Sequence, residues 1–360
     1  MSWILLACQM AVPWVAPHFV TSDGPSHLYG ATVARDLIFH HRHSIYSAVY
    51  TIQRGALPNW TATVLLAAAE TLVDVRHAEQ LFVSFSILLG FLGLCYMNHQ
   101  LSPGRSPWDP VMNFVLQSWF LWVGFYNFYL GMMLVPFVVG FYIARAGRLT
   151  FRGAGAIAAG LTALYFTHLI AVAVALAAIA ALAAWVCWIA PLLSGRRGFG
   201  GWNEAGLVLL SALPAVILIL IYAHGAPGAD PTATSQIASA LKRFPQQVFL
   251  TGQGLWGRQS LLWPFVLCYI VAASLLMTRR EWASPRGGLV PAVLIAFLGY
   301  LLIPDSGFGG SVVTIRFAWA VFILGAPLAA SATRLRFLHV PIALYVAFFV
   351  FGNVIASARE

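Results

Sequence analysis

The chain has 360 residues, 60% of them hydrophobic and only 9% charged, against roughly 25% charged in soluble domains. So few charges cannot cover a water-facing surface, which excludes a soluble globular protein. The net charge of +9 comes from short basic clusters between long apolar runs, a topology signal rather than a nucleic-acid footprint.

Apolar runs fall at about 2–20, 59–75, 79–97, 111–143, 153–167, 169–190, 203–222, 259–277, 288–303, 313–332 and 338–356. A hydrocarbon core of ~30 Å takes roughly 20 helical residues, so the pattern predicts an all-α, polytopic transmembrane bundle of about eleven spans. It reads as one domain, 1–360. The first run has no basic segment before it and no small-residue cleavage site at Pro17-His18-Phe19. It reads as a retained span, not a signal peptide. Run 111–143 is too long for one span, and the charges predict an odd number of crossings. A half-helix and a full span are expected, broken between Gly124 and Gly131 around Phe125-Tyr126-Asn127-Phe128-Tyr129. Run 153–190 reads as two short helices broken at Phe166-Thr167-His168. The first is rich in Gly and Ala, which lets helices approach closely.

Basic residues orient the spans. Arg76, Arg145, Arg148, Arg152, Arg196, Arg197, Arg279, Arg280, Arg286, Arg334 and Arg336 fall in alternate connections and mark the cytoplasmic side. Loops 21–58, 223–258 and 304–312 are then expected on the outer face. Cys8, Cys95, Cys187 and Cys268 lie in apolar runs without a CxxC pair, so neither a disulfide framework nor a zinc thiolate site is expected.

Polar residues in so apolar a chain carry the functional signal. Thr21-Ser22-Asp23-Gly24-Pro25-Ser26-His27 follows the first span. Asp23-Gly24-Pro25 reads as a turn into a helix over 28–39 that lies on the membrane surface. Asp23 and His27 are four apart and share a helix face, offering a carboxylate base and an imidazole. The alternative is that Asp23 caps the helix. His18, His99, His168 and His224 are placed at outer helix ends. His168, at a helix break, is the strongest of them as a site residue; its alternative is a local hydrogen bond. His40-His41-Arg42-His43 reads as a solvated or headgroup-facing stretch. Glu70 and Glu204, near inner halves of helices, read as structural or tied to basic loop residues. On the outer side, Arg54, Arg105, Lys242, Arg243, Arg258 and Arg316 run against the inside-positive rule. Anionic lipid or a phosphate-bearing ligand would account for them. Arg316 follows a glycine-rich loop and is expected to pair with Asp305 or with a ligand phosphate.

The acidic motif at Asp23, the surface helix after it and the order of spans resemble the GT-C superfamily of membrane glycosyltransferases, which use polyprenyl-phosphate sugars. The resemblance implies a GT-C-like bundle in which Asp23 deprotonates or orients the acceptor, with His27 beside it. It also implies that basic residues of later outer loops hold the donor phosphate, here Arg258 and Arg316; His168, Lys242 and Arg243 are further substrate-binding candidates. Gly24 stands where many relatives carry a second acidic residue. The implied partners are a polyprenyl-phosphate lipid donor and a glycan, lipid or protein acceptor, and no nucleic acid. The implied location is a bacterial inner membrane, with the site facing the periplasm or exterior. The leaving group is already anionic. The chemistry therefore needs positive charge at the departing phosphate and a carboxylate at the nucleophile. A divalent metal would assist phosphate departure, but the sequence shows no ligand set for one. Three other readings stand beside this one: a polymerase or ligase acting on lipid-linked glycans, a transporter or flippase built on the broken helices, and a noncatalytic scaffold.

Overall fold

A computed structural model describes residues 2–19, 21–40, 43–53, 55–103, 110–116, 118–195, 201–225, 243, 262–305, 312–332, 337 and 339–357. Among the described residues every regular element is helical. Helix α1 (Ser2–Ala11) runs on through a 3-10 turn at Val12–Trp14. Helices α2 (Gly24–His40) and α3 (Thr61–Ala69) precede the long α4 (Val75–Leu101). Two short pieces, α5 (Pro110–Phe114) and α6 (Trp119–Val123), lead into α7 (Tyr126–Ile143) and α8 (Phe151–Thr167). Helix α9 (Leu169–Ala184) passes through a π-helical turn at Trp185–Ile189 into α10 (Ala190–Leu193). Then come α11 (Trp202–Gly225), α12 (Leu262–Leu275), α13 (Arg279–Trp282), α14 (Pro285–Leu302), α15 (Val313–Ala330) and α16 (His339–Ser357).

Six helical stretches are long and apolar enough to cross a membrane: α4, α7, α9 with α10, α11, α14 and α15. The chain is an integral, multi-pass membrane protein. Helix α15 is its central pillar, with 83% of its apolar window buried inside the protein, against 17% for α11. On α11, Leu209, Leu213, Ile217 and Leu220 are exposed, an apolar surface suited to lipid. Helices α4 and α7 run side by side in the same direction, because Gly90 faces Met133, Gly93 faces Phe137, and Met97 faces Gly140. A Cβ on Gly90 would stand 2.0 Å from the Met133 sulfur, so the small residue is what lets the two helices pack this closely.

Helices α1 and α4 run antiparallel. Trp3 meets Phe91, the Met10 carbonyl accepts the Ser84 hydroxyl, and the Ala16 carbonyl accepts the Gln80 amide. Helix α4 therefore begins at the end of the bundle where α1 finishes. This overturns the expected crossing at 59–75. Helix α3 has nine residues, about 14 Å at 1.5 Å per residue, and cannot span ~30 Å of hydrocarbon. It stays beside α2: Arg35 donates to the Glu70 carbonyl at 2.7 Å, and Thr32 donates to the Glu70 carboxylate at 3.0 Å. Arg76 thus shares the end of Asp23 instead of marking the opposite one, and its neighbour His77 stacks on Trp14. Glu70 is tied to a basic residue as expected, but to one of the first loop, not an inner one. Helix α4 carries His99 to the opposite end, just past Met97 and its contact with Gly140, so the placement of His99 at the outer end is also corrected.

That opposite end holds Arg145 and Arg148 between α7 and α8 and Arg152 in the first turn of α8, together with Arg279, Arg280 and Arg286. Arg279 donates to the Leu193 carbonyl at 3.1 Å. Glu204 accepts from the Tyr142 hydroxyl and the Gly147 N–H, both at 2.9 Å. Among the described residues it is tied to Tyr142 and to loop backbone there, not to a basic side chain. The break expected between Gly124 and Gly131 occurs at Gly124 alone. Helix α7 runs unbroken through Gly131, which abuts Ala171 and His168.

Candidate functional site

The site forms around the turn between α6 and α7. Gly124 adopts φ +88°, a left-handed conformation that favours glycine. Its bare Cα admits the start of α2: a Cβ on Gly124 would stand 2.5 Å from the Gly24 nitrogen. A Cβ on Gly24 would in turn stand 2.1 Å from Thr21 Oγ1 and 2.5 Å from Glu79 Oε1. Overpacking of this kind costs ~1–3 kcal/mol, and at Gly24 the clashing atoms belong to the site itself. Gly24→Ala is expected to lower the melting temperature by several degrees in detergent, measured by intrinsic fluorescence. An unchanged melting temperature would show that the loop does not pack as described.

Asp23 is held by its backbone. Its N–H donates to the Val123 carbonyl at 2.7 Å, and its carbonyl accepts from the N–H groups of Ser26 and His27 at 3.1 and 3.3 Å. The side-chain cap is Thr21, whose Oγ1 accepts the Gly24 N–H at 3.0 Å. Among the described residues the Asp23 carboxylate accepts no backbone N–H. Its side chain is 46% exposed, with Oδ2 3.6 Å from His27 Nε2. The shared face expected for Asp23 and His27 is therefore present, and the capping role passes to Thr21. Burial lowers the His27 pKa below its ordinary value and the Asp23 charge partly restores it, a balance that favours the neutral imidazole.

Behind His27 lies the Tyr126 ring, 5.4 Å between centroids. The Tyr126 hydroxyl donates to Glu79 Oε1 and sits 3.4 Å from Thr21 Oγ1. Glu79, 4% exposed near the start of α4, is a second carboxylate at this site, and the sequence reading did not single it out. The available signal was an acidic residue at the very start of an apolar run, where burial is costly without a role. The space that a side chain at position 24 would fill is occupied by the Glu79 carboxylate and the Tyr126 hydroxyl.

The other face of the same turn carries Arg316. Its guanidinium lies 4.9 Å from the centroid of the Phe125 ring and 5.1 Å from that of Phe128, a cation–π cradle. Arg316 Nη1 is 3.0 Å from His168 Nε2. His168 ends α8 with an extended backbone, and its Nδ1 accepts the Ile170 N–H at 3.1 Å, capping α9. A neutral imidazole has one N–H and one lone pair. Nδ1 commits the lone pair to Ile170, so Nε2 carries the proton and faces the Arg316 N–H. Among the described residues the two donors meet with no acceptor between them, and Arg316 Nε is buried without a partner. The pair fits an anion. The salt bridge with Asp305 is not formed: Asp305 Oδ1 accepts the Thr314 N–H at 3.0 Å and the Thr314 hydroxyl at 2.6 Å, capping α15.

Helix α3 closes the side of the site. Its Ala62 N–H donates to Asn127 Oδ1 at 2.8 Å, Trp60 N–H to the Phe166 carbonyl at 2.9 Å, and Thr167 to Thr61 at 3.0 Å. Asp23, His27, His168 and Arg316 are thus assembled on one aromatic turn. Arg243 lies within electrostatic reach of the Tyr300 hydroxyl, as does Asp305. Lys242 and Arg258 lie outside the described residues, as do Arg54 and Arg105. Among the described residues no group of three or more His, Cys, Asp or Glu is placed to hold a metal ion. Comparison with protein-family models, with curated proteins and with solved structures finds no match to this chain.

Proposed function

We propose that the chain is a membrane glycosyltransferase that moves a sugar from a polyprenyl-phosphate donor to an acceptor at the Asp23 end of the bundle. The observation that carries this is the Arg316–His168 pair, two donors lacking an acceptor, set one aromatic turn away from an available carboxylate. In this reading Arg316 and His168 hold the departing phosphate, where negative charge gathers as the bond from sugar carbon to phosphate oxygen breaks. Asp23 takes the proton of the acceptor hydroxyl as its oxygen bonds to that carbon. His27 orients Asp23 or the acceptor, and Glu79 fixes the loop through Tyr126. Lys242, Arg243 and Arg258 add positive charge from later loops. A transporter reading is less well supported, because the charged groups of the described residues gather at the two ends of the bundle, not at mid-depth. The test is purified protein in liposomes with a panel of polyprenyl-phosphate sugars. Release of free polyprenyl phosphate, faster with acceptor present, is expected. Solute flux with no release from any donor would move the transporter reading ahead.

The bundle in this proposal makes about eleven passes, GT-C-like in their order: α1, α4, α5 with α6, α7, α8, α9 with α10, α11, α12, α14, α15 and α16. The arginine-rich end is cytoplasmic, and the membrane is the bacterial inner membrane. Single cysteines placed at Ser47, Arg76 and Arg148, in a background lacking the four native cysteines, check the orientation. Ser47→Cys and Arg76→Cys are expected to label from outside the cell and Arg148→Cys only after permeabilisation. Labelling of Arg76→Cys together with Arg148→Cys would reverse the assignment of α4.

A further inference from the structure

Aromatic rings crowd the turn between α6 and α7. Phe120, Phe128, Tyr129 and Trp319 pack on one another and are buried, so they serve the core. Trp119 and Phe125 belong to the same cluster but are only half-buried. Their centroids lie 5.9 Å apart and their planes cross at 79°, so the two rings make a corner. Phe120 backs both, 5.4 Å from Trp119 and 6.2 Å from Phe125.

This corner stands between the charged groups of the site. Phe125 is the ring 4.9 Å from the Arg316 guanidinium. Its chain neighbour Gly124 receives the start of α2, and the Val123 carbonyl accepts the Asp23 N–H at 2.7 Å. Asp23 and Arg316 are half-buried as well. A sugar in transfer is bonded first to a phosphate oxygen at Arg316 and then to an acceptor oxygen at Asp23. Its ring must lie against what separates the two, which is the turn bearing Phe125. The C–H face of a sugar is apolar, and its hydrogens suit the negative face of a π-system. The Trp119 indole also brings an N–H donor for a sugar hydroxyl.

We propose that Trp119 and Phe125 form the subsite for the donor's sugar ring, stacking its C–H face while Arg316 and His168 hold the phosphate. The proposal rests on the glycosyltransferase reading and adds which residues recognise the sugar. The two rings act differently. Phe125 touches Arg316, so it bears on phosphate and sugar alike. Among the described residues Trp119 has ring contacts with Phe120 and Phe125 and no cation–π contact with Arg316, so it bears on the sugar alone.

Trp119→Leu is the test, because leucine keeps apolar bulk and loses the aromatic face. Kd is measured in nanodiscs for bare polyprenyl phosphate and for its glucosyl, mannosyl and arabinosyl esters. In the wild type at least one ester is expected to bind more tightly than the bare phosphate. In Trp119→Leu the Kd of that ester should rise about fivefold, within the range of an aromatic stacking contact, while the Kd of the bare phosphate stays unchanged. Trp119→Phe should recover most of the loss. The ratio of the two Kd values within one variant cancels any change in the folded fraction. The subsite is overturned if no ester outbinds the bare phosphate in the wild type, or if Trp119→Leu leaves that ratio unchanged. An unchanged ratio would make Trp119 an anchor at the membrane interface. Either result leaves the glycosyltransferase reading standing, whereas absence of polyprenyl-phosphate binding by the wild-type protein overturns both.

Discussion

Asp23→Asn is expected to slow sugar transfer by roughly 10²–10⁴-fold, the usual contribution of a general base, with almost no loss of thermal stability. The substitution isolates the chemistry. The residue's structural role is carried by its backbone, through Val123, Ser26 and His27, and the helix cap is the Thr21 hydroxyl. Asparagine keeps the shape and loses the base. A second readout follows from charge. Burial lowers the His27 pKa and Asp23 raises it, so removing the Asp23 charge leaves burial to act alone. In Asp23→Asn the His27 imidazole should titrate at still lower pH, measurable by its carbon-bound proton shifts. Turnover near wild type in Asp23→Asn would sink the proposed mechanism, whatever happens to His27.

Arg316→Gln is expected to weaken binding of polyprenyl phosphate at least tenfold, read by isothermal titration in detergent. The guanidinium is a half-buried donor cradled by Phe125 and Phe128 and set against His168. With the charge gone, a phosphate there keeps only the His168 N–H. Part of any effect on folding comes from the lost cation–π contacts, worth ~0.5–2 kcal/mol, so the melting temperature should fall modestly. Arg316→Lys separates the two contributions. It keeps the charge but not the planar fork, and should recover part of the affinity. Unchanged affinity in Arg316→Gln with a lowered melting temperature would make the residue structural and remove the observation on which the functional proposal stands.

The membrane class was legible from composition, with only 9% of residues charged, and the all-helical architecture from the apolar runs, because a backbone in hydrocarbon satisfies itself only in helices or closed barrels and runs of roughly 20 residues fit the helix. The pairing of Asp23 with His27 was legible because four residues make one helical turn. The break at His168 was legible because a polar residue interrupts two apolar runs. Hydropathy failed at α3. The stretch Thr61–Ala69 is apolar because it packs on α2, α4 and α7, and a sequence window cannot tell burial against protein from burial in lipid. The same error moved Arg76 to the wrong end.

Glu79 and the Arg316–His168 pair were decided only by the tertiary structure. Glu79 reaches the site because α4 starts beside α1, a consequence of α3 turning back. Arg316 meets His168 across 148 residues of chain, a separation at which no local periodicity carries information. What the sequence determined by itself was each helix and the polar residues at its ends. Which of those residues share a site was decided by the Gly24–Gly124 contact, where two bare backbones approach closely enough to draw α2, α4 and α7 to one point.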